Sequence, residues 1–438
     1  MLGKVAATGL DLDSVYSQTL QRIEAQEGDR SKLGIEVLMW VSHSERPLRI
    51  DELQNALAVD LETIDLDPEN IRSEDVVIGS CLGLVAVDQE TLTVQPIHHT
   101  LQEYLSRPGI LPDAHKILAQ TCLAYLNSAR VKGLPANWIP NPRDMPFFEY
   151  SSIYWGNHAK MGLSDRAKSL ALELLTRYDN HVSATLLFNQ TQGHDSPPVI
   201  DHLFAGLHCA SYFGIVELVA ILIENKKLCD VNQGDCKGST PLMWAAQRGN
   251  EAVVTLLLER RGIKTNKPDN SGQTPLWRTS SNGQRRVVSL LLKRRGVKIN
   301  KPDNSGQTPL WCASSNGHER VVTLLLKRRN INTSQPDNSG QTPLWCASLN
   351  GHEGVVKLLL ARDDVNPDRP DSHGRTLLWW ASGSGKKEVV VQLLTRDDVN
   401  PERPDTIGRT PLQIAHMHGH REIVAILQDR ITRTSSAD

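Results

Sequence analysis

The chain has 438 residues, room for two or three domains, and its 39% hydrophobic and 22% charged composition excludes a disordered or fibrous class. The net charge of -2 hides a division: residues 1–110 carry 8 Lys+Arg against 19 Asp+Glu (net -11), and residues 238–331 carry 17 against 5 (net +12), so the two regions are expected to meet different partners, or each other. No apolar signal core follows the N-terminus, the longest nearly apolar run (76–87) is far too short to span a membrane, and the 7 cysteines form no CxxC pair, which together predict an intracellular protein without a disulfide framework, a zinc site or any cofactor.

Taken in order, residues 12–25 predict an amphipathic helix, with Leu12, Val15, Tyr16, Leu20 and Ile23 at helical spacing, and residues 32–42 predict a second. Pro47 to Ile50 precede a third helix that Asp51 would cap and that buries Leu53, Leu57 and Val59. Residues 67–83 hold a further helix, ending near Ser80. Residues 84–87 and 92–95, joined by Asp88-Gln89-Glu90, read as a β-hairpin. Helices followed by a hairpin is winged-helix order. Helices continue over 113–129, 147–160 and 165–178, around a loop with four prolines at 135–146, and residues 190–198 form the expected joint before the C-terminal half.

That half is periodic. Glycines 238, 272, 306, 340, 374 and 408 stand 34 residues apart, and five of the six are followed by Thr-Pro-Leu, the sixth by Thr376-Leu377-Leu378. Asp303-Asn304-Ser305-Gly306 is turn chemistry, Thr308 can cap a helix, and Pro309 suits its first position. Asn316-Gly317 ends this short helix, and the continuous apolar run of the next one (Val321, Val322, Leu324, Leu325, Leu326) must be covered by neighbouring units. Stability therefore accumulates by stacking. The pattern resembles the ankyrin repeat, with a diverged copy over 201–237 opening an array of about seven units and a frayed tail at 432–438. The expected fold is thus mainly α: a helical remnant (1–30), a winged-helix domain (31–110), a helical linking region (111–200) and an ankyrin solenoid (201–431).

A second resemblance covers the first half. Leu38-Met39-Trp40-Val41, Arg46-Pro47-Leu48, Glu52 to Val59, Cys81 to Val85 and His98 to Leu105 are similar to the winged-helix segment, labelled after GPI inositol-deacylase, that follows the NACHT ATPase in fungal STAND proteins. Leu12 to Tyr16 resembles the end of that ATPase's helical lid, and Phe148-Glu149-Tyr150 and Tyr154 to Ala159 its linking helices. The resemblance implies a sensor arm that works with a NACHT ATPase, upstream or in trans.

Catalytic patterns are scarce. GxxxxGK[ST], GxSxG and HExxH are absent, and Gly383-Ser384-Gly385-Lys386 falls at a repeat's inter-helix turn. His98 and His99 read as a helix start, and His208 and Cys209 as buried helix residues. A non-enzymatic chain is expected. Trp277, Trp311, Trp345 and Trp379 form one ladder, either packing between repeats or anchoring a partner, while Trp244 and Trp380, one position further on, should turn toward a groove. Arg260-Arg261, Lys293-Arg294-Arg295 and Lys327-Arg328-Arg329 end successive second helices, where the helix dipole accounts for one cation each, not three, so an acidic protein ligand or a plain solvated face are both open readings. Residues 262–295 and 296–329 agree at 27 of 34 places, with Arg278 against Cys312 and Arg285 against Glu319 among the differences. Such cassettes could vary a recognition surface. The alternative function, nucleic-acid binding through the winged helix or the basic repeats, is disfavoured at residues 67–83, where Arg72 faces Asp67, Glu69, Glu74 and Asp75.

Overall fold

Period-3.6 patterning dominates the sequence, and the computed structural model, which describes residues 12–135, 138, 143–192, 203–225 and 230–435, is accordingly mainly helical. Two units are distinguished, residues 1–230 and 231–438. Their boundary falls inside the array read from the sequence, so the helices of its first, diverged copy belong to the N-terminal unit.

That unit opens with α1 (Leu12–Glu24), α2 (Asp29–His43) and α3 (Ile50–Leu57). Asp51 is not the cap of α3. The helix already starts at Ile50, and Glu52 closes its first turn by accepting the Arg49 backbone N–H at 2.8 Å. Glu52 is buried and held by Arg46 through two bonds of 2.8 and 2.7 Å, the arrangement that makes a buried carboxylate tolerable. A small antiparallel pair, β1 (Val59–Asp60) and β2 (Asp65–Leu66), follows; the sequence reading lacked it. The single helix expected over 67–83 is replaced by a 3₁₀ turn, Pro68–Asn70, and the short α4 (Glu74–Gly79), because the Asp67 carboxylate accepts the Glu69 N–H at 2.9 Å and closes a local turn instead. The expected hairpin is present as β3 (Val85–Val87) and β4 (Val94–Pro96), and α5 (His99–Leu105) completes the module. Leu38, Leu53, Val77 and Leu101 form its buried centre, and the Tyr16 hydroxyl meets Thr100 Oγ1 at 2.8 Å, tying α1 to α5.

The helices α6 (Ala114–Leu126), α7 (Ala129–Lys132), α8 (Phe148–Met161), α9 (Asp165–Leu175) and α10 (Val182–Gln192) continue the unit, α10 being unforeseen. Trp40 of α2 packs edge-on against Phe147 and Tyr150 at 5.4 and 5.8 Å. The diverged copy supplies α11 (Gly206–Phe213) and α12 (Val216–Glu224). A Cβ on Gly156 of α8 would lie 2.2 Å from the Phe213 ring, so only glycine lets α11 approach this closely. The expected joint lies outside the described residues from 193 on, as does Cys229.

In the second unit six helix pairs repeat: α13 (Pro241–Gln247) with α14 (Glu251–Glu259), α15 (Pro275–Ser281) with α16 (Arg285–Lys293), α17 (Pro309–Ser315) with α18 (Glu319–Leu326), α19 (Pro343–Leu349) with α20 (Glu353–Leu360), α21 (Leu377–Gly383) with α22 (Lys387–Leu393), and α23 (Pro411–Met417) with α24 (Arg421–Ser435). Each inner helix is capped by the expected threonine, whose hydroxyl accepts the N–H three residues on. Helix α24 runs past 432, where a frayed tail was expected. Two buried valines and two leucines in each of the first four outer helices, such as Val321, Val322, Leu325 and Leu326, with Val389, Val390 and Leu393 in α22 and Ile423 and Leu427 in α24, build a core continuous from pair to pair.

One polar cluster in the N-terminal unit has an unusual make-up. His158 of α8 is fully buried; its Nε2 meets the Tyr150 hydroxyl at 2.9 Å and its Nδ1 meets His115 Nδ1 of α6 at 3.0 Å. The His43 ring of α2 lies 5.2 Å from that of His115. Burial first, then His115 and His43, push the His158 pKa down to about 3. The native state thus holds this ring neutral while the unfolded chain binds its proton near pH 6.5. The folded state has the fewer protons, so stability present above the unfolded pKa is lost as pH falls below it. His158 should contribute on the order of 2 kcal/mol of stability at pH 7 that is lost by pH 5, so in urea denaturation followed by near-ultraviolet circular dichroism His158→Gln should reduce the pH dependence by about that much and leave the share of His181, whose pKa burial pushes down to about 4. Equal stability at both pH values would contradict the assignment.

Candidate protein-interaction surface

The scaffold of the surface is a set of hydrogen bonds that cross from one repeat to the next. In each turn an aspartate carboxylate accepts backbone N–H groups two and four residues on, as Asp269 does from Ser271 at 3.0 Å and Gln273 at 2.8 Å. The turns then join each other. The N–H of Asn270 donates to the Lys237 carbonyl (2.8 Å), that of Asn304 to Ser271 and that of Asn338 to Ser305 (2.9 Å each), while their side-chain amides reach the carbonyls of Cys236, Asn270 and Asn304. Gly272 takes φ +80° and its Cβ position lies 2.8 Å from Asn304 N, so glycine serves both the turn and the close approach. At the inter-helix turns Asn316 and His318 bond the Ser281 carbonyl, and Asn350 and His352 that of Ser315.

The tryptophan ladder belongs mostly to this scaffold. Trp277 and Trp311 donate their indole N–H to the carbonyls of Gln307 and Gln341 in the next repeat at 2.9 Å, and Trp379 donates to Arg409 at 3.1 Å. Trp345, 8% exposed, is the exception: its buried N–H has no acceptor. Trp244 does not turn toward an open groove. It is 5% exposed, with its N–H on the Asp235 carboxylate at 3.0 Å. In the next repeat Arg278 takes that place, 2.7 Å from Asp269 and 3.1 Å from Gln247. Trp380, at the corresponding place, is only half-buried; the Arg375 guanidinium lies 4.5 Å from its ring centre, and Trp345 meets it edge-on at 6.1 Å.

Of the basic clusters, Arg261, Lys293, Arg294, Arg295, Lys327, Arg328 and Arg329 are exposed and Arg260 is half-buried. Arg328 has a structural task that the sequence reading missed: its guanidinium donates to the Leu292 carbonyl at 2.9 Å, capping the outer helix of the preceding repeat. Arg362 and Arg396 repeat the contact on Leu326 and Leu360 at 3.4 and 3.0 Å. A 34-residue period in arginine is the signal that could have revealed it.

A cleft of about 220 Å³ opens between the repeats of Gly340 and Gly374, lined by Leu344, Trp345, Arg369, Arg375, Leu377 and Trp380 among others. A larger, shallower depression of about 700 Å³ lies between α2, α3 and α6 of the N-terminal unit. The residues weighed for chemistry have structural settings. His98 Nδ1 caps α5 by accepting the Thr100 N–H at 3.3 Å, Cys209 is fully buried with its thiol pKa pushed up by that burial, and the Gly383 to Lys386 phrase is the turn between α21 and α22. Among the described residues no three His, Cys, Asp or Glu side chains are grouped to hold a metal ion, and no helix is long and apolar enough to cross a membrane.

Residues 207–303, 295–371 and 361–436 match the family described as Ankyrin repeats (3 copies), together more than half of the chain. The chain belongs to the ankyrin-repeat family. Residues 22–115 of this ankyrin-repeat protein match the family described as GPI inositol-deacylase, winged helix domain. The human ASB11 ankyrin repeat domain is similar at 24% identity and a TM-score of 0.43, over 50% of this chain and 96% of that one. The search of curated proteins gave no match.

The ladder geometry separates four chemically identical side chains. Replacing Trp277, Trp311 or Trp379 by Phe should lower stability by about 1 kcal/mol more than Trp345→Phe does, because only the first three lose an indole hydrogen bond, whereas Trp345→Phe removes an N–H that already lacks an acceptor. Urea titrations of the four variants check this; equal losses would show that the indole bonds contribute nothing.

Proposed function

We propose that this ankyrin-repeat protein is a non-enzymatic recognition arm that binds a protein ligand through the turn side of its repeats. The observation that carries the reading is the cleft at Trp380: the half-exposed indole, the guanidinium stacked on it and the neighbouring Trp345 combine the large flat contact area and directional donors that anchor protein interfaces. The basic clusters at the outer-helix ends would add long-range attraction for an acidic ligand, acting on the rate of encounter more than on the lifetime of the complex.

We further infer that the arm serves a STAND-like sensor inside the cell, its winged-helix module coupling ligand capture to a NACHT ATPase carried upstream or by another chain. The order of a winged-helix match followed by ankyrin repeats supports this. Ankyrin repeats are typically scaffolds without catalytic groups, and the name of the winged-helix family brings no activity with it.

With a partner recovered by affinity capture, Trp380→Ala should weaken binding by more than about tenfold, chiefly through faster dissociation. The triple change Lys293→Ala, Arg294→Ala, Lys327→Ala should weaken it less and reduce its salt dependence; Arg328 is left in place because it caps a helix. Binding kinetics at two salt concentrations decide. Loss confined to the triple variant, with a nucleic acid recovered as the ligand, would replace the protein reading.

A further inference from the structure

The cleft lies where the inter-repeat ladder is interrupted. Backbone bonds link the turns at every other step, including Thr406 N–H to the His373 carbonyl at 2.9 Å, but among the described residues the Ser372 N–H finds no acceptor and does not reach the Ser339 carbonyl that the series predicts. The spelling changes at the same step. Asn270, Asn304 and Asn338 give way to Ser372, Asn316 and Asn350 to Ser384, and His318 and His352 to Lys386, so the side chains that carry the other crossings are missing as well. Trp345 lacks its carbonyl here, and Gly340, unlike Gly272 and Gly306, has no atom of the next turn within 4 Å of its Cβ position. The inner helices α19 and α21 are correspondingly less closely packed than the other neighbouring inner helices.

The outer side of the step stays tied. Arg396 donates to the carbonyls of Leu360 (3.0 Å) and Arg362 (2.9 Å) and lies 3.4 Å from that of Val365. The step is therefore clasped at its outer base and open on the turn side. What the open side lacks is specific: an acceptor for the Ser372 N–H, an acceptor for the buried Trp345 N–H and a donor for the Ser339 carbonyl. A peptide group offers both an N–H and a C=O in one rigid unit, which is how extended segments complete exposed hydrogen-bonding edges. Charge adds direction. Arg375 is paired with Asp371 at 2.8 Å, whereas Arg369, also lining the cleft, is exposed and has no ion-pair partner among the described residues.

We propose that this interrupted step receives an extended segment of the partner protein that carries an aspartate or glutamate, its main chain completing the ladder between Ser339 and Ser372 and its carboxylate meeting Arg369. The inference rests on the reading of the array as a protein-binding arm. Entry widens the step about the Arg396 clasp, which brings the Trp345 N–H within reach of a carbonyl of the segment. Aromatic faces of Trp345 and Trp380 form the wall against which the segment lies.

A displayed library of random peptides, panned on the full chain, provides the probe, and calorimetry on the selected peptides the readout. Acidic extended sequences should be enriched; Arg369→Glu, an exposed change that leaves the fold intact, should weaken their binding by about tenfold or more, and Trp345→Phe by about threefold to tenfold. Restoring the regular spelling with Ser372→Asn and Lys386→His should close the step, raise the melting temperature and weaken the same peptides. Selected peptides that bind Arg369→Glu and the restored chain unchanged, yet are weakened by Arg278→Ala, would overturn the cleft assignment and leave the protein-binding arm standing. Enrichment of no peptide at all would overturn both.

Discussion

Each repeat of this protein is held to the next by hydrogen bonds that span one 34-residue step, and the rest of the array depends on them. Two short helices cannot bury their own apolar faces, so the pair is stable only against a neighbour. Apolar stacking supplies most of that stability but little register, since valine and leucine slide over one another at small penalty. The asparagine, histidine and indole donors fix the register because each is directional and meets its acceptor in the neighbouring repeat at one offset only. Where the donors are present the turns are locked. Where Ser372 and Lys386 replace them, the same apolar core persists on the outer side while the turn side separates and a cleft appears.

The same logic orders the N-terminal unit, with different side chains. Two sets of buried polar groups there are satisfied internally: Glu52 with Arg46 and the Arg49 N–H, and Asn127 donating to the carbonyls of Leu123 and Leu170 at 2.8 and 3.0 Å. The histidine cluster around His158 is sensitive to acid, because three imidazoles share one space and a proton on one disfavours a proton on the next. Winged-helix and linking helices meet at that cluster through α2, α6 and α8.

Legibility in the sequence was greatest where one local role had no nearby competitor. Thr308, Pro309 and Gly306 act within a few residues of themselves, so their roles could be read from spelling alone, and the repeat period gave the array. The Asp51 cap failed because Glu52, held by the Arg46 side chain six residues back, takes the Arg49 N–H instead, a pairing that propensity does not contain. The helix over 67–83 failed because Asp67 and Pro68 offered a local turn that competes with helix. The histidine cluster joins positions 43, 115 and 158, which no periodicity connects. The tryptophans were visible as a ladder, but whether Trp277, Trp311, Trp345 and Trp379 find a carbonyl depends on the chain 30 positions on, and Trp244 was misplaced because its indole meets the Asp235 carboxylate of its own turn. The interruption at Ser372 stood in the sequence as three altered letters. Its meaning required knowing which atoms those letters joined.

Backbone amide hydrogen exchange of the intact chain, resolved residue by residue, tests the account at its centre. A ladder closed at every step but one predicts slow exchange at Asn304, Asn338 and Thr406, whose N–H groups bond the preceding turn, and exchange at Ser372 faster by orders of magnitude under the same conditions. Equal protection at all four positions would mean that the array has no open step, and that neither the cleft nor the function assigned to it follows from this fold.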